Sequence, residues 1–169
     1  MAVIGRLSRL SRLIGGELRR TFSAHGLDPA SFDVLATLRR SGPPHTLTPA
    51  ELMRSAMVTS GAITQRLDRL ESDGLVQRTP SDSDRRVVHI TLTDEGLALI
   101  DRALPDHVAT EDRLLAALST AQRDALADAL RNLLESLGDS TDEQARPGHR
   151  RPEGSSQPGT ATPASGSEG

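Results

Sequence analysis

The spacing of hydrophobic residues predicts two amphipathic helices at the start of the chain. Between residues 3 and 25, apolar side chains recur every three or four positions, which places them on one helical face, and Gly26 follows as a stop signal. Asp28 and Pro29 then supply an N-cap and a first-turn proline for a second helix. The run Gly42-Pro43-Pro44 ends that helix.

Two shorter helices joined by a turn are predicted in the next segment. Thr48-Pro49-Ala50-Glu51 is a capping box with proline at the first helical position, which is a clear signal for a helix start. The helix is short because Met57-Val58-Thr59-Ser60-Gly61 interrupts it. A further helix follows and ends at Gly74. This arrangement is a helix-turn-helix.

A β-hairpin is predicted directly after the second of these helices. Residues 75–79 form a short extended run, residues 80–84 a polar turn, and residues 87–92 alternate between apolar and polar side chains. Asp84-Arg85-Arg86 lies near the predicted tip. A hairpin in this position is a wing, so the central segment is predicted to be a winged helix-turn-helix.

Two more helices are predicted towards the end of the chain. A long one begins at Thr93 and runs through Leu118, and we expect Pro105 to kink or break it. A second capping box, Ser119-Thr120-Ala121-Gln122, begins the last helix. From residue 139 onward the chain is rich in Gly, Pro, Ser, Thr and charge and has no apolar periodicity, which is typical of a disordered tail.

Charge is unevenly distributed along the chain. The net charge is −3. Residues 1–40 carry seven arginines against three acidic residues, residues 41–92 carry six of each, and residues 93–143 carry four arginines against twelve acidic residues. The basic and neutral part can face phosphates while the acidic part stays away from them, so the negative total does not exclude a nucleic-acid partner.

Composition excludes several kinds of chemistry. There is no cysteine, which rules out disulfides, thiolate nucleophiles and cysteine-based sensing of metals or peroxide. The five histidines are scattered, and none lies at a spacing typical of a metal site or of a nucleophile with its base. We therefore expect no enzymatic activity, no metal and no cofactor.

The sequence also has no pattern of a membrane span or a signal peptide. No run of about 18 apolar residues is present. The apolar residues near the N-terminus are interleaved with arginines instead of forming one block behind a basic start. We expect a cytoplasmic protein with no membrane partner.

The order of these elements and four short motifs together resemble the MarR family of bacterial transcription regulators. The resemblance covers residues 3–137, and the order and spacing of the motifs are typical of the family. The motifs are Thr59-Ser60-Gly61-Ala62-Ile63-Thr64-Gln65-Arg66-Leu67-Asp68-Arg69-Leu70-Glu71, Gly74-Leu75-Val76, Asp82-Ser83-Asp84-Arg85-Arg86 and Leu92-Thr93.

The resemblance implies that the helix over residues 60–72 enters the major groove of DNA. Its polar face would carry Ser60, Gly61, Thr64, Gln65 and Asp68. Gln65 can pair with adenine, the hydroxyls can contact base edges or phosphates, and Gly61 permits close approach. Arg66 and Arg69 flank the apolar stripe and can reach phosphates, although Asp68 and Glu71 are near enough to pair with them. The alternative is that these are ordinary solvated residues of a surface helix.

The resemblance further implies that Asp84, Arg85 and Arg86 are the DNA-contacting tip of the wing. An arginine at a narrow hairpin tip can enter the minor groove, where the negative potential is enhanced. Asp84 is placed to pair with Arg86 and to fix the position of its guanidinium. The alternative is an exposed turn with an ion pair of no functional consequence.

The apolar stripes of the first and last helices exceed the needs of one small winged domain, and the family implies that they form a homodimer. Two recognition helices one DNA turn apart would then bind a near-palindromic double-stranded operator. The alternative is that these stripes pack only within one chain. The predicted fold is mainly α with a small β-hairpin wing: a dimerisation helix at 1–27, a winged helix-turn-helix at 28–93, dimerisation helices at 94–138 and a disordered tail at 139–169.

The family also commonly binds a small-molecule effector near the junction between the dimerisation and DNA-binding parts. Candidates here are Arg12, Phe22, His25, Phe32 and Leu97. With only two Phe and no Trp or Tyr, such a pocket would be mostly aliphatic. The predicted function is a regulator, more often a repressor than an activator, whose operator affinity changes with the effector. The alternative is a winged-helix protein that acts by protein contact without specific DNA binding, which the intact Arg85-Arg86 pair opposes.

Overall fold

The computed structural model of the protein describes residues 2–55, 60–81 and 87–138. Six helices and three strands follow one another over these ranges. In chain order they are α1 (Ala2–Ala24), α2 (Pro29–Arg40), β1 (Thr46–Leu47), α3 (Pro49–Ser55), α4 (Ser60–Ser72), β2 (Val76–Pro80), β3 (Val88–Leu92), α5 (Asp94–Leu114) and α6 (Thr120–Ser136). Every helix in these ranges is too short or too polar to span a bilayer. The tail predicted at 139–169 lies outside the described residues.

The helix boundaries near the N-terminus confirm the predicted start and stop signals. Gly26 has a φ of 71°, and the amide of Leu27 donates to the Phe22 carbonyl, so the chain leaves α1 through a left-handed C-terminal cap. Asp28 caps α2, because its Oδ1 accepts from the backbone amide of Ser31 at 2.9 Å.

The capping box before α3 is also present. The Thr48 hydroxyl accepts from the amide of Glu51 at 3.3 Å, while Oε2 of Glu51 accepts from the amide of Thr48 at 2.8 Å. The amide and the hydroxyl of Thr48 both donate to Oε2 of Glu51, and these two bonds lower the pKa of the Glu51 carboxyl. At the other end of the helix-turn-helix, Gly74 has a φ of 72° and closes α4 as predicted.

The predicted hairpin is present in the part of the wing that the structure describes. Strands β2 and β3 pair antiparallel, with Val76 opposite Leu92 and Pro80 opposite Val88. A third strand, β1, was not predicted. It adds to the other side of β3, with Thr46 opposite Thr91, and gives the strand order β1-β3-β2. Two residues are too few to show the alternation that reveals a strand in sequence.

One hydrophobic core joins the winged segment to α1 and α5. The buried apolar residues of α2 and α4 lie in it together with Ile90 and Leu92 of β3. The largest fully buried side chains are Leu35, Leu38, Leu52, Leu67, Leu70, Ile90, Ile100, Val34 and Val76.

Helix α5 departs from its prediction in two ways. Of the kink or break expected at Pro105, the break is absent, since the helix runs continuously from Asp94 to Leu114. Proline removes one backbone donor, and the neighbouring turn is held by Ile100 and Ala103, which are fully buried. The extension to Leu118 is also wrong, because residues 115–118 form turns before α6 begins.

The start of α5 lies in direct contact with the turn that links α4 to β2. Gly96 is buried in the first turn of α5, and a Cβ atom built on it would lie 2.0 Å from the carbonyl oxygen of Leu75. The hydroxyl of Thr93 accepts from the amide of Gly96 at 3.0 Å and donates to the Gly74 carbonyl at 2.7 Å. Only glycine fits at position 96 without moving one of the two segments.

The terminal helices leave apolar side chains exposed. Helix α6 contains no buried residue. The large exposed hydrophobic residues of α1, α5 and the α6 segment are Val3, Ile4, Leu10, Leu13, Val108, Leu130, Leu133, Leu134 and Leu137. In a single protomer, the apolar stripes of these helices therefore remain exposed, and their pattern predicts that they pack against a partner.

We expect Gly96→Ala to destabilise the protein by about 1–3 kcal/mol, because the added methyl group overlaps a backbone carbonyl in a packed junction. Urea denaturation at equilibrium measures the effect. Gly16→Ala in α1 is the matched control, since nothing lies within 4 Å of its added Cβ. The control should stabilise the helix by roughly 0.5–1 kcal/mol. Equal effects of the two substitutions would contradict the proposed close contact.

Candidate nucleic-acid interface

Helix α4 presents a polar face to solvent beside the wing. Its 13 residues bury Ile63, Leu67 and Leu70 in the core. Thr64 and Gln65 are exposed on the other side, as the helical period requires. We call the exposed positions 64, 65, 68 and 69 the outer face of α4. Ser60 and Gly61 form the first turn of the same helix, and their surroundings lie outside what the structure describes.

Arg66 is directed away from the outer face, towards the start of α2. Its Nη1 forms an ion pair with Oδ2 of Asp28 and lies 3.3 Å from the hydroxyl of Ser31. The Arg66 side chain is 22% exposed, and its buried Nε has no partner within the described residues. Because Asp28 also caps α2, one carboxylate connects the N-terminus of α2 to the middle of α4.

Arg69 remains accessible on the outer face. Its side chain is 65% exposed, and its guanidinium lies 3.9 Å from Asp28 and 3.8 Å from Asp73. The ion pairs that we expected between these arginines and Asp68 or Glu71 are wrong. The arginines face α2, whereas the two carboxylates lie on the opposite flank of α4, towards the wing.

On that flank, Asp68 and Glu71 bind Arg78 of β2. Nη1 of Arg78 lies 2.6 Å from Asp68 Oδ1 and 2.9 Å from Glu71 Oε2. The backbone amide of Arg78 also donates to Glu71 Oε1 at 3.2 Å. Helix α4 is therefore held on one side by the Asp28–Arg66 pair and on the other by Arg78.

The described part of the wing ends where its strands meet the predicted tip. The amide of Ser81 donates to the carbonyl of Val87 at 2.8 Å, which closes the last pair beyond β2 and β3. The predicted tip residues Asp84, Arg85 and Arg86 lie outside the described residues.

A cavity of about 490 Å³ lies between α2 and α5. His107 is one of its lining residues; its buried Nδ1 has no partner in the described ranges, and its Nε2 lies 3.3 Å from Glu111. Arg39 is held by Asp101, whose Oδ1 accepts from Nε at 2.7 Å. The lining residues are Phe32, Asp33, Ala36, Arg39, Arg40, Leu104 and His107.

The structure separates the five residues predicted for an effector site. Phe32 lines the cavity, and Phe22 stacks behind it with ring centroids 4.1 Å apart. His25 bonds through Nε2 to Asp106 at 2.8 Å, Leu97 packs against the core, and Arg12 is exposed on α1. These last three do not line the cavity.

Sequence patterns did not reveal several residues of the interface and the cavity. Asp28 was identified as a helix cap but not as the partner of Arg66, and Arg78 was not singled out. Arg40 and His107 reach the cavity only because α2 packs on α5. Arg78 could have been found from its position in the sequence. It lies within a predicted strand, and that strand follows a helix whose last turns carry acidic residues. Over the described ranges, no group of three or more His, Cys, Asp or Glu residues could hold a metal.

Comparison with known proteins gives consistent matches. The model of the MarR family matches residues 25–87. The HTH-type transcriptional regulator PecS of Dickeya dadantii is 45% identical over 73% of this chain and 74% of its own length. The HTH-type transcriptional repressor YetL of Bacillus subtilis is 31% identical over 76% of each chain.

A solved structure agrees in both fold and sequence. Sco3205, a MarR family transcriptional regulator from Streptomyces coelicolor solved in complex with DNA, is 27% identical and superposes with a TM-score of 0.76. The match covers 83% of this chain and 92% of Sco3205.

We expect Asp28→Asn to destabilise the protein by about 1–3 kcal/mol, because it leaves the partly buried Arg66 charge without its carboxylate. Asparagine retains the capping of α2, so the loss reports on the ion pair. Urea denaturation at equilibrium is the measurement. Arg69→Gln is the control and should change stability by less than about 0.5 kcal/mol, since Arg69 is exposed. An Asp28→Asn protein as stable as the control would show that the pair does not hold α4.

Proposed function

This chain belongs to the MarR family of transcriptional regulators, and from that membership we propose that it represses transcription by binding a near-palindromic DNA operator as a homodimer. The observation that carries the proposal is the outer face of α4, which is polar, accessible and adjacent to a hairpin. The relatives reported above are transcriptional regulators, one is a repressor, and Sco3205 was solved with DNA bound. A cytoplasmic location follows from such a role.

We assign base recognition to the outer face of α4. Gln65 and Thr64 are exposed and carry the donor and acceptor groups that base edges in the major groove require. Ser60 and Gly61 begin the helix and would lie nearest the groove floor or a phosphate. Arg69 is the arginine that we assign to a phosphate, since Arg66 is engaged with Asp28.

The wing supplies the second contact in this proposal. Strands β2 and β3 lead directly into residues 82–86, where Asp84, Arg85 and Arg86 follow one another in sequence. Arginine in a narrow minor groove is favoured by the enhanced negative potential there. We assign this role to Arg85 and Arg86, with Asp84 fixing the guanidinium of Arg86.

The exposed apolar stripes support the dimer. Residues 1–27 and 94–138 would join two copies, and residues 28–93 would bind DNA. Apolar side chains of α1, α5 and α6 that remain exposed in one protomer would be buried by the second copy. A two-fold axis then places two α4 helices on one face of the duplex, which is how a dimer recognises a near-palindromic site.

The cavity between α2 and α5 is our candidate for the effector site. It lies between the winged segment and a helix that we assign to the dimer, so a ligand there can alter their relative position. Phe32 and Leu104 offer apolar contact, while Arg40 and His107 offer positive charge and a hydrogen bond. Because two arginines, Arg39 and Arg40, outnumber the one carboxylate, Asp33, in this lining, we propose a small aromatic acid as the class of effector.

We expect wild-type protein to bind one fragment of its upstream intergenic DNA saturably in fluorescence anisotropy. Replacing both wing arginines, Arg85→Ala/Arg86→Ala, should weaken binding about a hundredfold and lower the slope of log K against log salt by about two, because two charged contacts are removed. Arg102→Ala/Arg131→Ala removes the same charge from α5 and α6 and is the matched control. It should bind as the wild type does.

Other results would favour other functions. Equal, weak binding of every fragment by the wild type and both variants would contradict a specific operator and leave a role through protein contact. Specific binding that survives loss of both wing arginines would retain the operator and exclude the proposed wing contact.

We expect benzoate, as a probe acid, to raise the melting temperature of the wild type by about 3–6 °C at a concentration near ten times its dissociation constant. Ala36→Phe fills the cavity and should abolish this shift while operator binding persists. Benzamide, which lacks the charge, is the control ligand and should produce a smaller shift. An equal benzoate shift in Ala36→Phe would place the ligand elsewhere.

A further inference from the structure

The flank of α4 that faces the wing carries two carboxylates close to the proposed DNA surface. Asp68 is 58% exposed and Glu71 is 40% exposed. Asp68 belongs to the outer face itself, so its charge lies where phosphates would approach. Two uncompensated negative charges there would oppose binding, because like charges repel over about a Debye length of 8–10 Å at physiological ionic strength.

Arg78 is the cation that faces both carboxylates. One of its guanidinium nitrogens contacts Asp68 and Glu71 together, at 2.6 and 2.9 Å, and the side chain is only 29% exposed. The second carboxylate oxygen of Glu71 holds the backbone amide of Arg78 at 3.2 Å. The guanidinium is thus held against α4 by both side-chain and backbone contacts.

Strand β2 determines the position of the Arg78 guanidinium. Arg78 pairs with Ile90 in the middle of the β2–β3 ladder, and Ile90 is fully buried. A change in the position of β2 relative to α4 would therefore separate Arg78 from its two partners.

We propose that Arg78 is a positioning residue for DNA binding that acts through Asp68 and Glu71 and not through a phosphate. It acts by neutralising the acidic flank of α4, so that DNA phosphates can approach that helix. This inference rests on the proposed function, because it concerns how the same surface admits DNA.

A double-mutant cycle separates action through the carboxylates from direct contact. The full-length protein is titrated against its operator by fluorescence anisotropy as the wild type, Arg78→Ala, Asp68→Asn/Glu71→Gln, and the triple variant. We expect Arg78→Ala to weaken binding roughly tenfold, within the coupling range of contacting charged residues. The triple variant should bind within about threefold of Asp68→Asn/Glu71→Gln, since no charge then remains to be neutralised.

A matched control excludes an effect of total charge. Asp124→Asn/Asp128→Asn removes two exposed carboxylates from α6 and should not rescue Arg78→Ala. Thermal denaturation of each variant shows whether it is folded. A merely structural role of Arg78 would leave the triple variant as defective in DNA binding as Arg78→Ala.

The outcomes distinguish this inference from the function on which it rests. An equal loss on Arg78→Ala with and without the carboxylates would overturn the inference and indicate that Arg78 acts by a direct phosphate contact or by a structural role independent of these carboxylates. A wild-type protein that binds no operator fragment would overturn the proposed function. Rescue by Asp68→Asn/Glu71→Gln but not by the α6 control would establish Arg78 as the neutralising residue.

Discussion

The structure depends on one close backbone contact, where the first turn of α5 meets the carbonyl of Leu75. Gly96 allows the approach, and Thr93 joins both segments by bonding the Gly74 carbonyl while capping α5. The end of α4, the start of β2 and the start of α5 therefore form one junction. Because the two backbones are in direct contact, a rotation of α5 at this point would require the turn after α4 to move with it. A movement of the long helix would therefore also displace the helix and wing that we assign to DNA.

The charge of the protein is compatible with DNA because its acidic groups near the interface are paired. Asp28 is bonded to Arg66 on one flank of α4, and Asp68 and Glu71 are bonded to Arg78 on the other. The remaining excess of acidic residues lies in α5 and α6, which we assign to the dimer and not to the DNA-binding segment. A net charge of −3 is thus a poor guide to the local potential at the outer face of α4.

Features with local determinants were predictable from the sequence. The caps at Asp28, Thr48 and Ser119, the stop at Gly74 and the hairpin each depend on residues within a few positions of one another. The polar face of α4 followed from helical periodicity for the same reason. The Asp28–Arg66 pair joins residues 38 apart in sequence and the cavity depends on the packing of α2 against α5, so neither could be predicted from local pattern. The uninterrupted path of α5 past Pro105 likewise depends on tertiary packing.

Helix α6 buries none of its own residues. The amount of functional protein should therefore depend steeply on protomer concentration. In the proposed homodimer, the stability of the last helix comes from a second molecule, so the competent species forms in proportion to the square of the protomer concentration when protomers are dilute. Halving the amount of protein then lowers that species about fourfold in the dilute limit. Genes under its control would respond to synthesis and dilution of the regulator more steeply than a monomeric repressor allows.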